Sequence, residues 1–181
     1  MILLYGPAGS GKTVQAKLLA ESLKYDHESL GARLRASADP ALQERLERGE
    51  LIEDDTINQL VASIVKDHAP EHNVIIDGFP RKASQAEWVV EWASDNQVCI
   101  ECIVHILLDA ETAKERLLKR ARPDDNAEAI DIRTKDYEVV SDQIIHHMVS
   151  ADIPVLTVDG SQTIERVHDL IMTQMSERRT C

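Results

Sequence analysis

Short apolar runs that alternate with helical patterns constrain the fold of this chain more than any other feature of its sequence. Four such runs, at 2–5, 74–76, 103–108 and 154–158, have the length of buried strands. Apolar residues recur at helical spacing in the segments that begin at Asp54 and Thr163, and in those at 110–121 and 126–150. Continuous apolar strands that alternate with helices predict an α/β fold, in which helices cover both faces of a parallel sheet.

The size and composition of the chain predict one domain with an aliphatic core. A length of 181 residues suits a single domain. Because aromatic residues make up only 3% of the chain, Leu, Ile, Val and Ala must fill most of that core. The polar region 28–53 is interpreted as an inserted helical lobe, and the turn at 120–125 as a second, very small one.

The charge of the chain argues against a nucleic-acid partner. Its formal net charge is −12, whereas nucleic-acid phosphates require a basic surface. Any anion that this protein binds must therefore be held by a local cluster of positive groups. No stretch resembles a signal peptide or approaches the ~18 apolar residues of a membrane span. We expect a cytoplasmic protein that does not bind membranes.

Two of the three cysteines form a C-x-x-C pattern, Cys99 and Cys102. This pattern is compatible with half of a zinc site or with a redox pair. The chain has no second C-x-x-C, and the surrounding apolar residues predict a strand, on which residues three apart point to opposite faces. We interpret both residues as thiols that fill the core.

A glycine-rich segment follows the first predicted strand and opens a helix. Its sequence, GPAGSGKT at 6–13, fits the pattern G-x-x-x-x-G-K-[ST] at every defined position. Glycines let backbone amides surround phosphates, and the N-terminus of the following helix adds partial positive charge. Lys12 is predicted to reach the outer phosphates and Thr13 to ligate Mg²⁺. The segment predicts a site for a purine nucleoside triphosphate and leaves the phosphoryl acceptor open.

The sequence DGFPR, at 77–81, follows the second apolar run and contains the only Phe of the chain. Asp77 is placed to hold Mg²⁺ through water opposite Thr13; a turn or helix cap is the alternative for an aspartate after a strand. Arg81 is expected just beyond the carboxyl edge of the sheet, where ligands of open α/β folds bind. Pro80 fixes the backbone before it, and a guanidinium there is suited to bidentate binding of a phosphate.

Several segments together resemble the signature blocks of the adenylate kinase family, in the same order and at similar spacing. They are GPAGSGKTVQA, DGFPRKASQAE, ERLLKRARPDDNAEAIDIR and VDGSQTIERV, and HESLGARLRA with GELIEDDTINQLV is similar to the monophosphate-binding lobe of that family. The resemblance implies a three-layer P-loop fold with a five-stranded parallel sheet. It implies the reaction ATP + AMP ⇌ 2 ADP with Mg²⁺ as cofactor, carried out by a monomer.

The resemblance also divides the chain into three parts. It implies a core at 1–27, 62–119 and 127–181, a nucleoside monophosphate (NMP) lobe at about 28–61 and a minimal lid at about 120–126. The lid carries no cysteine quartet, so a zinc-bearing lid is excluded. Within it, Asp124 and Asp125 are expected either to pair with arginines or to cap the following helix.

Matching positions assign roles to individual residues. Phosphoryl transfer is assigned to Lys12, Arg81, Arg120, Arg122 and Arg133. ATP binding is assigned to Gly6, Ala8, Gly9, Ser10, Gly11, Lys12, Thr13, Val14, Arg120 and Gly160. AMP binding is assigned to Leu30, Arg35, Leu51, Ile52, Gly78, Arg81, Gln85, Arg122 and Arg133, with Gln85 on the adenine. The metal is assigned to Asp77 and Thr13, partly through water, and Arg116 and Arg166 are interpreted as solvated charges.

The chain departs from the family pattern at both nucleotide sites. Leu30 and Ala32 stand where the family has Thr and Asp, so a hydroxyl contact to AMP is lost. In the P-loop, Thr13 stands in the place of a glycine and Val14 in that of a threonine. Another acceptor, such as UMP, CMP or dAMP, therefore remains an alternative to AMP. A weakly catalytic sensor of adenine nucleotides is a second alternative.

Overall fold

The computed structural model describes residues 1–68 and 73–177, in which a five-stranded sheet is flanked by helices. The strands are β1 (Ile2–Tyr5), β2 (Asp26–Ser29), β3 (Val74–Asp77), β4 (Cys102–Leu107) and β5 (Val155–Asp159). The helices are α1 (Lys12–Leu23), α2 (Leu30–Arg35), α3 (Pro40–Glu47), α4 (Asp54–Asp67), α5 (Ala83–Asp95), α6 (Ala110–Arg120), α7 (Ala127–Ser150) and α8 (Ile164–Glu177).

The sheet is entirely parallel, with the strand order β2-β3-β1-β4-β5. Strand β1 is central, with β2 and β3 on one side and β4 and β5 on the other. Because parallel strands all end at one edge, the loops after β1, β3 and β4 leave the sheet close together. The predicted α/β fold with a five-stranded parallel sheet is confirmed.

Alternate residues of the central strands enter two separate cores, which makes the molecule three layers thick. Leu3, Ile76 and Ile103 face a core with residues of α4, α5 and α7. Ile2 and Val104 face the opposite core, which α1 and α8 cover. Strands buried on both faces explain why these runs are apolar throughout instead of alternating with polar residues.

Strand β2 is the one strand that the residue pattern did not predict. Its sequence is DHES, and none of its four residues is fully buried. It lies at the edge of the sheet and pairs only with β3, from Asp26 opposite Val74 to Ser29 opposite Asp77. An edge strand at the protein surface can be polar, so periodicity gave no signal for it, and only the resemblance implied a fifth strand.

The two cysteines of the C-x-x-C pattern differ in their surroundings. Cys102 is the first residue of β4 and is 1% exposed, as predicted for a residue that fills the core. Cys99 precedes the strand and is only half-buried, so the interpretation as a residue that fills the core is wrong for Cys99. The third cysteine, Cys181, lies outside the described residues.

The polar region between β2 and α4 folds into the short helices α2 and α3 and lies against the start of α7. Gly49 has a φ of 77°, and a Cβ there would lie 2.8 Å from Cα of Ala129. A larger residue would therefore push this region away from α7. The Asn126 side chain donates to the carbonyl oxygen of Glu47 at 2.8 Å, which joins the same two regions.

The helices that the periodicity predicted are present, and their lengths agree with the sequence pattern. The longest, α7, has 24 residues and starts at the N-cap Asn126, whose side chain accepts a hydrogen bond from the amide of Ala129. Neither Asp124 nor Asp125 is the cap, so that alternative is wrong. Across the described ranges, no helix combines the length and the apolar character needed to cross a membrane.

Candidate active site

The loop after β1 curls around a lysine at the carboxyl edge of the sheet. Gly6 has a φ of 146°, and a Cβ there would lie 2.3 Å from the carbonyl oxygen of Ile106, so no larger residue fits. Lys12 opens α1, and its Nζ donates to the carbonyl oxygens of Gly6 at 2.8 Å and Pro7 at 2.7 Å. The loop and the lysine together line a cavity of about 440 Å³.

The ammonium of Lys12 is held in a site that disfavours positive charge. Burial lowers the pKa of Lys12 to about 8, against the attraction of Asp77. The nearby guanidiniums of Arg81, Arg120 and Arg133 lower the pKa further. An anionic ligand would relieve this repulsion, because it compensates several cations at once.

The end of β3 brings a buried carboxylate to the start of α1. Asp77 is 3% exposed, and its Oδ2 accepts a hydrogen bond from Oγ1 of Thr13 at 2.5 Å. Nε2 of His27, from β2, lies 3.8 Å from the same oxygen. Burial would raise the pKa of the Asp77 carboxyl, but His27, Lys12 and Thr13 outweigh it and hold that pKa below its usual value.

The oxygens of Thr13 and Asp77 suit Mg²⁺, an ion that proteins usually bind together with substrate and water. They do not suit a metal ion that protein side chains coordinate alone. No group of three or more His, Cys, Asp or Glu side chains in the described chain is arranged to hold a metal ion. Mg²⁺ is usually bound by one or two protein oxygens together with substrate phosphates and water. The hydroxyl of Thr13 beside the carboxylate of Asp77 is such a set.

The cavity is a local region of positive charge in an acidic chain. Among the described residues, eight basic and four acidic side chains line it, whereas the whole chain has a net charge of −12. The basic residues are Lys12, Lys17, Arg35, Arg81, Arg116, Arg120, Arg122 and Arg133. They come from α1, α2, α6, α7, the loop after β3 and the turn before α7. Such a concentration of cations suits a ligand with several phosphates.

Arg81 is held by its own loop at the end of β3. Its Nε donates to the carbonyl oxygen of Gly78 at 2.9 Å, and its backbone amide donates to Oε1 of Gln85 at 2.8 Å. Phe79 anchors the loop, since it is 0% exposed and packs edge to face against Trp88. The only Phe of the chain therefore fixes the loop that presents the arginine.

Asp125 binds the side chain of Arg120, at the end of α6, and the backbone of the turn before α7. Arg120 makes two hydrogen bonds to this carboxylate, at 2.8 and 2.7 Å, and the backbone amide of Arg122 donates to it at 3.2 Å. Burial, together with the guanidiniums of Arg120 and Arg35, lowers the pKa of Arg122. The pairing of Asp124 and Asp125 with arginines, one of the two alternatives that the sequence left open, is confirmed.

Asp124 joins α2 to α7. Its Oδ2 lies 3.6 Å from Nη1 of Arg35 and accepts from Nη1 of Arg133 at 3.3 Å. Its backbone carbonyl oxygen also accepts from Arg133. Asp124 is 7% exposed, so its charge is compensated by the two arginines instead of by water. Helix α2, the turn before α7 and α7 itself thus meet at one carboxylate.

A small side pocket adjoins the large cavity on the side of α2 and α3. Its lining residues are Leu30, Leu34, Leu46, Glu50, Leu51, Ile52, Ile57, Gly78, Arg81 and Gln85, and six of these ten also line the large cavity. Leu30 and Ile52 are almost fully buried. Six of the ten side chains are aliphatic, and the polar ones are those of Glu50, Arg81 and Gln85, as in small-molecule sites that combine an apolar lining with a few polar groups.

Most of the residues assigned from the sequence line one of these two cavities. The exceptions are Ser10 and Gly160: Ser10 is buried at 3% exposure, and the carbonyl oxygen of Gly160 accepts from Nη1 of Arg116 at 2.8 Å. The interpretation of Arg116 as a solvated charge is wrong, because it lines the large cavity and makes this bond. Its sequence context, a helix rich in charges, gave no signal for that role.

Sequence reasoning also missed three residues of α7 and β1 that line the large cavity, Tyr5, Asp136 and Tyr137. The hydroxyl of Tyr137 lies 2.8 Å from Nε2 of His105, which joins α7 to β4 behind the loop. Burial raises the pKa of Asp136. Tyr137 lies four residues after Arg133, one helical turn along α7, and this spacing is the signal that would have pointed to it.

Comparisons with known proteins place the chain beside enzymes of one kind. The family model described as adenylate kinase matches residues 4–153. The adenylate kinase of Synechococcus sp. (strain WH7803) is 35% identical over 175 residues, which cover 92% of this chain and 93% of that protein. Adenylate kinase 1 of Nostoc sp. (strain PCC 7120) is 31% identical and covers 95% of this chain and 97% of its own. The adenylate kinase of Nocardia farcinica is 29% identical, with 93% and 94% covered.

Proposed function

The chain belongs to the adenylate kinase family, and from that premise we propose how its side chains divide the work of transferring a phosphoryl group from ATP to AMP. It is an ATP:AMP phosphotransferase, which interconverts ATP plus AMP and two ADP. The observation that carries the assignment of roles is that cations from α1, α2, α6, α7 and the loop after β3 line a single cavity.

ATP is proposed to bind at the loop after β1. The backbone amides of residues 8–14, including Gly9 and Gly11, would surround its phosphates, and the N-terminus of α1 adds partial positive charge. Lys12 would bind the outer phosphates, and Arg120 would contact the adenine or its phosphates. The backbone at Gly160 would lie near the adenine.

AMP is proposed to bind between the NMP lobe and the loop after β3. Arg35 and Arg81 would hold its α-phosphate, since both line the large cavity beside the side pocket. The adenine would enter the side pocket, between Leu30 and the backbone at 51–52, with its polar edge toward Gln85. The apolar side chain of Leu30 would pack on the base where a threonine would hydrogen-bond to it.

The transfer requires alignment and positive charge, and it needs no general base. The attacking group is an oxygen of the AMP phosphate, which is already anionic at neutral pH. Arg122 and Arg133 would close on the transferring phosphoryl group, while Lys12 and Arg81 hold donor and acceptor in line. The guanidiniums that pair with Asp124 and Asp125 would exchange these carboxylates for phosphate oxygens as the nucleotides bind.

Mg²⁺ is proposed to accompany ATP, with Thr13 and Asp77 holding it, in part through water. When bound, the ion would neutralise charge on the outer phosphates of ATP. The hydrogen bond between Thr13 and Asp77 supports this proposal, because it shows that the two side chains are close enough to share one ion.

A coupled assay of ADP formation with Mg-ATP and a panel of acceptors (AMP, dAMP, UMP and CMP) tests the proposal. We expect AMP to be the preferred acceptor. Arg81→Ala should lower turnover by ~10²–10³-fold and leave ATP binding nearly unchanged, because it removes a donor aligned on the acceptor phosphate. Arg48→Ala is the matched control, since Arg48 lies on the NMP lobe, pairs with Glu44 and Glu50, and does not line the cavity.

Other outcomes of this assay would favour other functions. Preference for UMP or CMP would make the chain a nucleoside monophosphate kinase with another acceptor. Tight ATP binding without any ADP formation would favour a nucleotide sensor. Sedimentation analysis at several protein concentrations tests the expected monomer, and a mass that rises with concentration would contradict it.

A further inference from the structure

The amide of Gln85 is held from two sides inside the protein. Gln85 lies in α5, is 2% exposed and lines the side pocket. Its Nε2 donates to Oδ1 of Asp54 at 3.0 Å, and its Oε1 accepts from the backbone amide of Arg81 at 2.8 Å. Each end of the amide has one partner in the protein. Each end also has capacity for a second hydrogen bond, through the other NH₂ hydrogen and the other oxygen lone pair.

These two partners fix which end of the amide is which. An ionised carboxylate only accepts hydrogen bonds, and a backbone amide only donates them. If the Gln85 amide turned over, its oxygen would face the Asp54 carboxylate and its NH₂ would face the Arg81 amide hydrogen. Both contacts would then be repulsive. The orientation of the Gln85 amide therefore follows from the hydrogen-bonding chemistry of its two partners.

Asp54 is itself held in place and ionised. Its Oδ2 accepts from Oγ of Ser84 at 2.7 Å, and its Oδ1 lies 2.9 Å from Nζ of Lys82. Burial would raise the pKa of the Asp54 carboxyl, but the bonds from Ser84, Lys82 and Gln85 hold that pKa below its usual value. The carboxylate thus links the first turn of α4 to the start of α5.

We propose that Asp54 is a positioning residue that sets base specificity: by holding the Gln85 amide in one orientation, it makes the side pocket select 6-amino purines over 6-oxo purines. The inference rests on the proposed binding of the AMP base in this pocket. Adenine presents an acceptor at N1 and a donor at its 6-amino group, which match the NH₂ and the oxygen of Gln85. Hypoxanthine presents the reverse pattern, a donor at N1 and an acceptor at O6.

The wild-type protein gives the first test, with three acceptors of nearly equal size. We compare kcat/KM for AMP, for IMP and for purine riboside 5′-monophosphate, which keeps the N1 acceptor and lacks a 6-substituent. The kcat/KM for IMP should be at least about tenfold lower than for either of the others. The N1–H of hypoxanthine would face the NH₂ of Gln85, and both are hydrogen-bond donors. Equal use of IMP and the purine riboside nucleotide would overturn the proposal without any variant.

The second test compares Asp54→Asn with Asp55→Asn. An asparagine at 54 can offer either its own oxygen or its own NH₂, so it removes one of the two constraints on the Gln85 amide. The ratio of kcat/KM for AMP over IMP should fall by about tenfold. Asp55→Asn removes the same charge from the next residue, which is exposed and in the same helical turn, and should keep the wild-type ratio.

The ratio separates this role from a structural one. Loss of the bond between α4 and α5 would lower the use of both nucleotides alike and leave the ratio unchanged, and that result would overturn the proposal. If Asp54→Asn does not fold, the wild-type comparison decides. Dissociation constants for AMP and IMP, measured by calorimetry, test the base specificity separately from the proposed kinase function. AMP that binds more tightly than IMP but is never phosphorylated would overturn the kinase function alone.

Discussion

ATP binding should take up a proton at mildly alkaline pH, because the structure lowers the pKa of Lys12 to about 8 in the free protein. At pH 8.5 only about a quarter of the free protein then carries the Lys12 ammonium. The phosphates of ATP favour the charged form and would restore the pKa toward its usual ~10.4. Binding at pH 8.5 should therefore take up about 0.7 proton for each ATP.

The sign of the effect follows from linkage. Between the pKa of Lys12 in the free protein and its pKa in the complex, the complex binds more protons than the free protein does. The affinity for ATP is therefore highest below pH 8 and falls as the pH rises. With these values, the affinity for Mg-ATP should fall by about 20-fold between pH 7.5 and 9.5. ATP itself is fully deprotonated throughout this range, so the proton comes to the protein.

Isothermal titration calorimetry in buffers with different ionisation enthalpies measures the proton uptake directly. Lys12→Arg keeps a cation that does not titrate below pH 12, so this variant should show no uptake and a flat affinity between pH 7.5 and 9.5. Lys17→Arg changes another lysine that lines the cavity and should behave as the wild type does. An absence of uptake at pH 8.5 in the wild type would refute the reasoning about Lys12.

Three further predictions concern stability and the lid. Phe79→Ala should lower the free energy of unfolding by about 3–5 kcal/mol, because a fully buried ring is removed; a urea midpoint that does not change would contradict it. Asp109→Ala should cost about 1 kcal/mol in the same assay, since the Asp109 side chain caps α6, whereas the exposed Glu111→Ala should cost less. The short lid should admit water and allow ATP hydrolysis without AMP. A hydrolysis rate below about one part in 10⁵ of the kinase rate would contradict that expectation.

The site contains its own counter-ions. Asp124 and Asp125 pair with Arg35, Arg120 and Arg133, which are proposed to contact the nucleotides. A cluster of guanidiniums that lacks both phosphates and carboxylates would repel itself and would hold the lobe and α7 apart. Under the proposed function, nucleotide binding would exchange these carboxylates for phosphates. The positive charge of the cavity can coexist with a folded protein because these two carboxylates lie in the turn before α7.

Structural features that depend on a short stretch of the chain were predicted correctly from the sequence. The segment at 6–13 carries its glycines, its lysine and its hydroxyl within eight residues, so the sequence alone specifies a loop that can surround phosphates. The buried strands could be predicted because both of their faces are covered, so that each run contains almost only apolar residues. The DGFPR segment likewise fixed where Arg81 would leave the sheet.

What the sequence could not show are pairings between side chains that are distant along the chain. The bond between Asp54 and Gln85 joins residues 31 apart, that between Arg116 and Gly160 joins residues 44 apart, and β2 gains its identity only from its pairing with β3. The periodicity of the sequence does not identify the hydrogen-bond partner of a polar side chain, because that partner depends on how the helices and strands pack. The sequence by itself therefore determined the four apolar strands, the glycine-rich loop after β1 and the family. Only the tertiary structure decided which charges meet and which way the Gln85 amide faces, because hydrogen bonds act over about 3 Å of space and not along the chain.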